Sequence, residues 1–138
     1  MKYSVRNATI DDINAIRRHT TENGKVDMSV VKQSEEMRCF LCDDVPLMIL
    51  GTVNHPSGTD EKVVVLWGLF NKGINKHTKY LVKACRDMLL DRVGYTFVCY
   101  IDESVNKFKR FATFFGFEQT KYVEEFEGKL YRFYVKRN

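Results

Sequence analysis

The chain has 138 residues, 44% hydrophobic and 29% charged, with a formal net charge of +4. That is the make-up of a soluble globular protein long enough to bury a core, and we read it as one domain spanning 1–138. The longest apolar run, VVVLWGLF at 63–70, is too short to cross a bilayer, and the small positive excess permits an anionic partner without requiring one. MKYSVRNAT lacks the apolar stretch of a signal peptide, and the cysteines at 39, 42, 85 and 99 do not form a secreted disulfide pattern. A reducing cytosol is therefore expected.

In chain order, YSVRNA (3–8) alternates like a strand. Thr9-Ile-Asp-Asp12 is a capping box, and Ile10, Ile13 and Ile16 follow at helical spacing to about His19. ENGK breaks that helix, and MSVVKQSEEM predicts a second short one with Ser29 as its cap. CFLC (39–42) leads through DDVP into the strand LMILGTVNH (47–55), and HPSGTDE is a turn. KVVVLWGLF is β-branched and almost wholly apolar, as a central strand covered on both faces would be. After NKGINKH, Leu81, Ala84, Cys85, Met88 and Leu89 mark an amphipathic helix over 78–93 that stops at Gly94.

YTFVCYI (95–101) is the next strand. Asp102 or Ser104 would cap a helix whose Phe108, Phe111, Ala112 and Phe115 share one face, ended by Gly116. On this reading the three phenylalanines face the sheet while Lys107, Lys109 and Arg110 stay in water. A hairpin closes the chain: EQTKYVEEF, the turn EGK, then LYRFYVK. The order β-α-α-β-β-β-α-β-α-β-β describes an α/β (α+β) domain with a mixed, mostly antiparallel sheet flanked by helices.

Two segments carry a family likeness. VRNATIDD is similar to the common opening of the GNAT N-acetyltransferase superfamily, and FATFFGF looks like that family's F-Y-x-x-x-G-F segment. Their order and spacing extend the resemblance over nearly the whole chain. YTFVCYIDESVNKFKRFATFFGF and INKHTKYLVKACRDML resemble, more closely still, GNAT-like virion assembly or internal virion proteins of short-tailed bacteriophages. The resemblance implies that strand 95–101 lies parallel beside strand 63–70, and it admits acetyl-CoA as the cofactor. The cofactor would lie against Leu69, Phe70, Lys76, His77, Thr78 and Lys79.

The chemistry is the eroded part. Active members carry Q/R-x-x-G-x-G/A before the third helix, where small residues let backbone amides reach a pyrophosphate. Here Ile74, Lys76 and Thr78 take the small positions and Gly73 is the loop's one glycine. Counting four back from Gly116, where many members place a proton-donating tyrosine, lands on Ala112. Glu61 and Tyr100 are the catalytic candidates that remain, beside the bland readings of turn residue and strand residue.

Cys39-x-x-Cys42 has zinc-like spacing, but no second Cys/His pair follows, and in a strand the two thiols face opposite sides. No metal is expected. The modest charge at Lys107, Lys109 and Arg110 does not call for nucleic acid. What the residues and the likeness together imply is a phage-encoded GNAT-like protein, in the host cytoplasm or the virion, that works as a structural, assembly or protein-interaction factor with another protein as partner. The alternative is an atypical acetyl-CoA-dependent N-acetyltransferase acting on a protein or small amine.

Overall fold

A computed structural model describes residues 1–19, 28–55, 61–90 and 92–138. The elements are β1 (Tyr3–Asn7), α1 (Ile10–His19), α2 (Met28–Gln33), β2 (Glu36–Cys42), β3 (Val45–His55), β4 (Lys62–Phe70), α3 (Thr78–Leu90), β5 (Tyr95–Asp102), α4 (Asn106–Phe114), β6 (Glu118–Phe126) and β7 (Lys129–Arg137), with a single 3-10 turn, Ile74–His77, ahead of α3. The strands form one seven-stranded sheet in the order β1-β2-β3-β4-β5-β7-β6. Its β4–β5 ladder is parallel, pairing Lys62 with Tyr95 through Val65 with Val98, as expected for a crossover through a helix. The ladders β1–β2, β2–β3, β5–β7 and β6–β7 are antiparallel.

By contacts the chain forms two compact units, Met1–Val53 with Leu66–Leu81, and Asn54–Val65 with Val82–Asn138. The first is built on α1. Thr9 and Asp12 satisfy each other's amides across the helix start, Asp12 N to Thr9 Oγ1 at 3.2 Å and Thr9 N to Asp12 Oδ2 at 2.9 Å, which is the expected capping box. The Arg6 guanidinium holds the same carboxylate with two hydrogen bonds, one of them 2.8 Å from NH2 to Oδ1. Ile13 and Ile16 are fully buried and join Val31, Cys39, Leu41, Ile49 and Leu69 in the core. Ile10, at the first helical position, is 47% exposed.

Two sequence expectations shift here. Glu36 and Met37 belong to β2, not to α2, which ends at Gln33; Ser29 lies inside that helix and is not its cap. Asp43 and Asp44 both take positive φ, 49° and 65°, and close β2 onto β3 as a two-residue turn. The expected break at ENGK lies outside the described residues, as does most of the HPSGTDE turn.

The second unit carries α4 over the β5–β7–β6 ladder. Asp102 does not cap α4: its Oδ1 accepts from Ser104 N at 2.9 Å and Ser104 Oγ at 2.7 Å, so it fixes the turn before the helix. Val105 is the N-cap residue and has no side-chain capping bond. The C-terminal stop is as expected. Gly116 sits at φ 87°, with Gly116 N to Thr113 O at 3.0 Å and Phe117 N to Ala112 O at 3.0 Å, the paired bonds of a Schellman end. The phenylalanines are less buried than expected: Ala112 is buried and Phe108, Phe111 and Phe115 are half-buried beside it. Lys109 is not simply in water, because it pairs with Glu103 at 3.3 Å.

Candidate functional site

The expected cofactor residues fall in the first unit, at the end of β4 and the start of α3. Asn71 begins the loop and ties it to β3, its N to Leu47 O at 2.8 Å and its Nδ2 to Pro46 O at 2.7 Å. Gly73 then takes φ 73°, the left-handed region that glycine enters without strain, and a Cβ there would meet open space. It is the N-cap of the 3-10 turn and no side chain caps that start. The first turn contains no acid, while Lys76 and His77 stand in it and Lys79 follows.

Ile74, which stands where the family has a small residue, is 1% exposed. Its side chain is turned into the core and does not cover the loop's backbone. Lys76 and Lys79 are exposed. Thr78 Oγ1 donates to Asn75 O at 3.0 Å, so its hydroxyl closes the turn. Leu69 belongs to the core cluster, which leaves only its backbone for a ligand, and Phe70 is half-buried.

Sequence reasoning missed the clamp behind this turn. Tyr3 Oη and His77 Nδ1 lie 2.9 Å apart, Tyr3 stacks on Tyr80 with centroids 4.0 Å apart, and Tyr80 Oη donates to Ser4 O at 3.3 Å. Three rings thus fasten the start of α3 to β1. The only sequence signal was the half-apolar character of Tyr3 and Tyr80 themselves.

The catalytic candidates lie in the second unit and are not brought together there. Glu61, just before β4, is exposed and its Oε1 accepts from Thr96 Oγ1 at 2.9 Å. Tyr100 is 46% exposed on β5, with its ring 5.2 Å from that of Phe133. Burial, with the Glu124 carboxylate and Tyr122 adding to it, pushes the Tyr100 hydroxyl upward, so it stays protonated through neutral pH. Ala112, at the position of the family's acid, is buried and carries no proton.

All four thiols are free and buried. Burial pushes Cys39 up to about 11 and Cys99 up to about 12, so neither is a nucleophile at neutral pH. Among the described residues no three His, Cys, Asp or Glu side chains gather in a metal-holding group. No described helix is long and apolar enough to cross a membrane.

Solved structures of the same fold are numerous. Naa50 of Arabidopsis thaliana, solved with the bisubstrate analogue CoA-Ac-MVNAL, aligns over 100% of both chains with a TM-score of 0.72 at 13% identity. The ribosomal-protein-S18-alanine N-acetyltransferase of Escherichia coli aligns over 97% of this chain and 92% of its own, TM-score 0.69, 11% identity. A Desulfovibrio desulfuricans protein assigned to the GNAT acetyltransferases covers 99% of both chains with a TM-score of 0.69 at 14% identity. The chain has the GNAT fold. No family model and no curated protein matches its sequence, and identities this low establish the fold alone. Within that fold, β4, the 3-10 turn and α3 of this chain are the segments that the resemblance assigns to acetyl-CoA.

Proposed function

We propose that this GNAT-fold protein keeps an anion-binding loop for the pyrophosphate of acetyl-CoA or CoA but works by binding, as a structural, assembly or protein-interaction factor. The observation that carries the reading is the open start of the 3-10 turn that leads into α3: an N-cap glycine at φ 73°, no capping side chain, no acid in the first turn, and Ile74 folded inward. Such a helix start presents unpaired amides and the positive end of the helix dipole, which suit a phosphate. Lys76 and Lys79 add charge, and the His77 ring beside them is held in place by Tyr3. The bound group would bring an activated thioester; the chain's residues would bind and orient it. The protonating tyrosine is replaced by Ala112, which is why we assign binding rather than turnover. The phage origin, and with it a place in the host cytoplasm or the virion, rests on the sequence likeness described above.

Calorimetry with acetyl-CoA and with CoA tests this. Binding should be weak and should fall as salt is raised, since mobile lysines replace fixed backbone contacts. Lys76→Ala with Lys79→Ala should abolish it with the unfolding midpoint unchanged, because both side chains are exposed. Tight binding that survives the double substitution and high salt would place the ligand elsewhere. The second reading, an atypical N-acetyltransferase, is favoured by the acetyltransferases of like fold. Acetyl transfer to a peptide or small amine at a steady rate, lost in the same double variant, would establish it.

A further inference from the structure

In the second unit, α3, α4 and β7 enclose an open groove of about 620 Å³, lined by Arg86, Lys109, Arg110, Thr113, Phe114 and Tyr134 among others. Three cations meet there and no acid lines it. Lys109 is engaged by Glu103, whereas Arg86 and Arg110 are exposed and make no ion pair among the described residues. Phe114, on the solvent side of α4, is 59% exposed at the groove wall.

The same unit carries the complement. The β6–β7 hairpin turns in two residues, Glu127 at φ 50° and Gly128 at φ 79°, the positive-φ turn that matches the twist of the flanking strands. Next to the turn stand Glu124 and Glu125, and Phe126 and Leu130 are 58% and 52% exposed. The tip's lysine, Lys129, reaches back to Asp102 at 3.8 Å, which leaves the carboxylates of Glu124, Glu125 and Glu127 as the charge the tip presents. β6 is an edge strand and eight of its nine residues are exposed.

We infer that this groove receives the hairpin tip of a second copy of the chain, with the tip carboxylates facing Arg86 and Arg110 and Phe126 set against Phe114. The charges are opposite, each side offers one large exposed ring, and a preformed tip loses little freedom on docking. Every copy has one groove and one tip, and a head-to-tail contact leaves a free groove at one end and a free tip at the other, so copies add in sequence.

Sedimentation velocity on the full chain tests the contact. The protein should associate with rising concentration at low ionic strength, and its apparent dissociation constant should rise at least about tenfold in high salt. Arg86→Glu with Arg110→Glu, and separately Glu124→Lys with Glu125→Lys, should each give monomers. The two variants carry repelling grooves and tips of opposite kinds. Mixing the variant with the altered groove with wild type should cap growth, because it can donate a tip but receive none. Adding the altered-tip variant to the altered-groove variant should restore association, because a native tip meets a native groove and the lysine tip meets the glutamate groove. Thermal melts of each variant check folding, and alanine versions replace any that fail. A wild type that stays monomeric at low salt would overturn the inference. So would altered-groove protein that associates like wild type, or a mixture of the two variants that does not associate.

Discussion

At the scale of single residues, the tightest fit in the first unit surrounds Trp67. Its indole lies over Gly51 of β3, so close that a Cβ at Gly51 would stand 2.1 Å from Trp67 Cε2. The ring is pinned there by Nε1 donating to Ser34 Oγ at 2.8 Å, and Ser34 Oγ in turn donates to Val30 O at 2.8 Å. Gly51→Ala therefore cannot be absorbed by a flexible side chain; the indole must move and give up its hydrogen bond. We expect a loss of about 2–3 kcal/mol in denaturant unfolding. Because this is the chain's one tryptophan, a shift in its emission should accompany the loss, and a variant with wild-type emission and midpoint would show that the contact is looser than described. Gly116 is a second such position: at φ 87°, an alanine should cost about 1–2 kcal/mol by straining the left-handed end of α4.

For whole elements, α4 shows where sequence pattern and packing part. The spacing of Phe108, Phe111, Ala112 and Phe115 gave the helix and its sheet-facing side, and Gly116 gave its end. It did not reveal that Ala112 would be the one buried residue of the helix. Helix–sheet distance depends on which residue lies at the point of contact, and a local sequence pattern carries no such information. Ala112 is 5% exposed while the larger rings of its face stay half-buried, with Phe111 and Phe115 packed edge to face at 4.9 Å. Phe111→Ala should thus cost about 1–2 kcal/mol, less than a fully buried ring would. Ala112→Leu should be at least as harmful, since it puts a larger side chain where the alanine is already buried. If Phe111→Ala proves the worse of the two by a wide margin in unfolding measurements, the packing is led by the rings after all. The cofactor loop shows a similar division. Its charges and its glycine were legible, but the inward turn of Ile74 and the clamp of Tyr3, His77 and Tyr80 depend on β1, far away in sequence.

The whole molecule shows in its pH range, because groups in both units have shifted the same way. Arg6 hydrogen-bonds to Asp12 and, with the Thr9 amide and hydroxyl, outweighs burial and holds that carboxyl below the usual range. Burial would raise Asp102, but the Ser104 hydroxyl and amide and Lys129 bring it below as well. Glu103 is lowered by its bond to Arg132 and by Lys109. A carboxyl with a lowered folded pKa favours the native state above its unfolded pKa, near 4, and that contribution disappears as pH falls through the folded value. At the other end, a thiol that burial pushes up favours the native state below about 9, the unfolded value. That contribution is lost as pH rises toward about 11 for Cys39 and about 12 for Cys99. Stability measured by urea unfolding should be nearly level from about pH 5 to 8 and decline on both sides. Asp12→Asn should lower the plateau by about 1–2 kcal/mol, from a weakened cap and a lost ion pair, and flatten the acid side. Cys39→Ala should flatten the alkaline side and leave the acid side as it was. An acid limb with the same slope in wild type and Asp12→Asn would mean that this carboxyl titrates alike in the folded and unfolded chain.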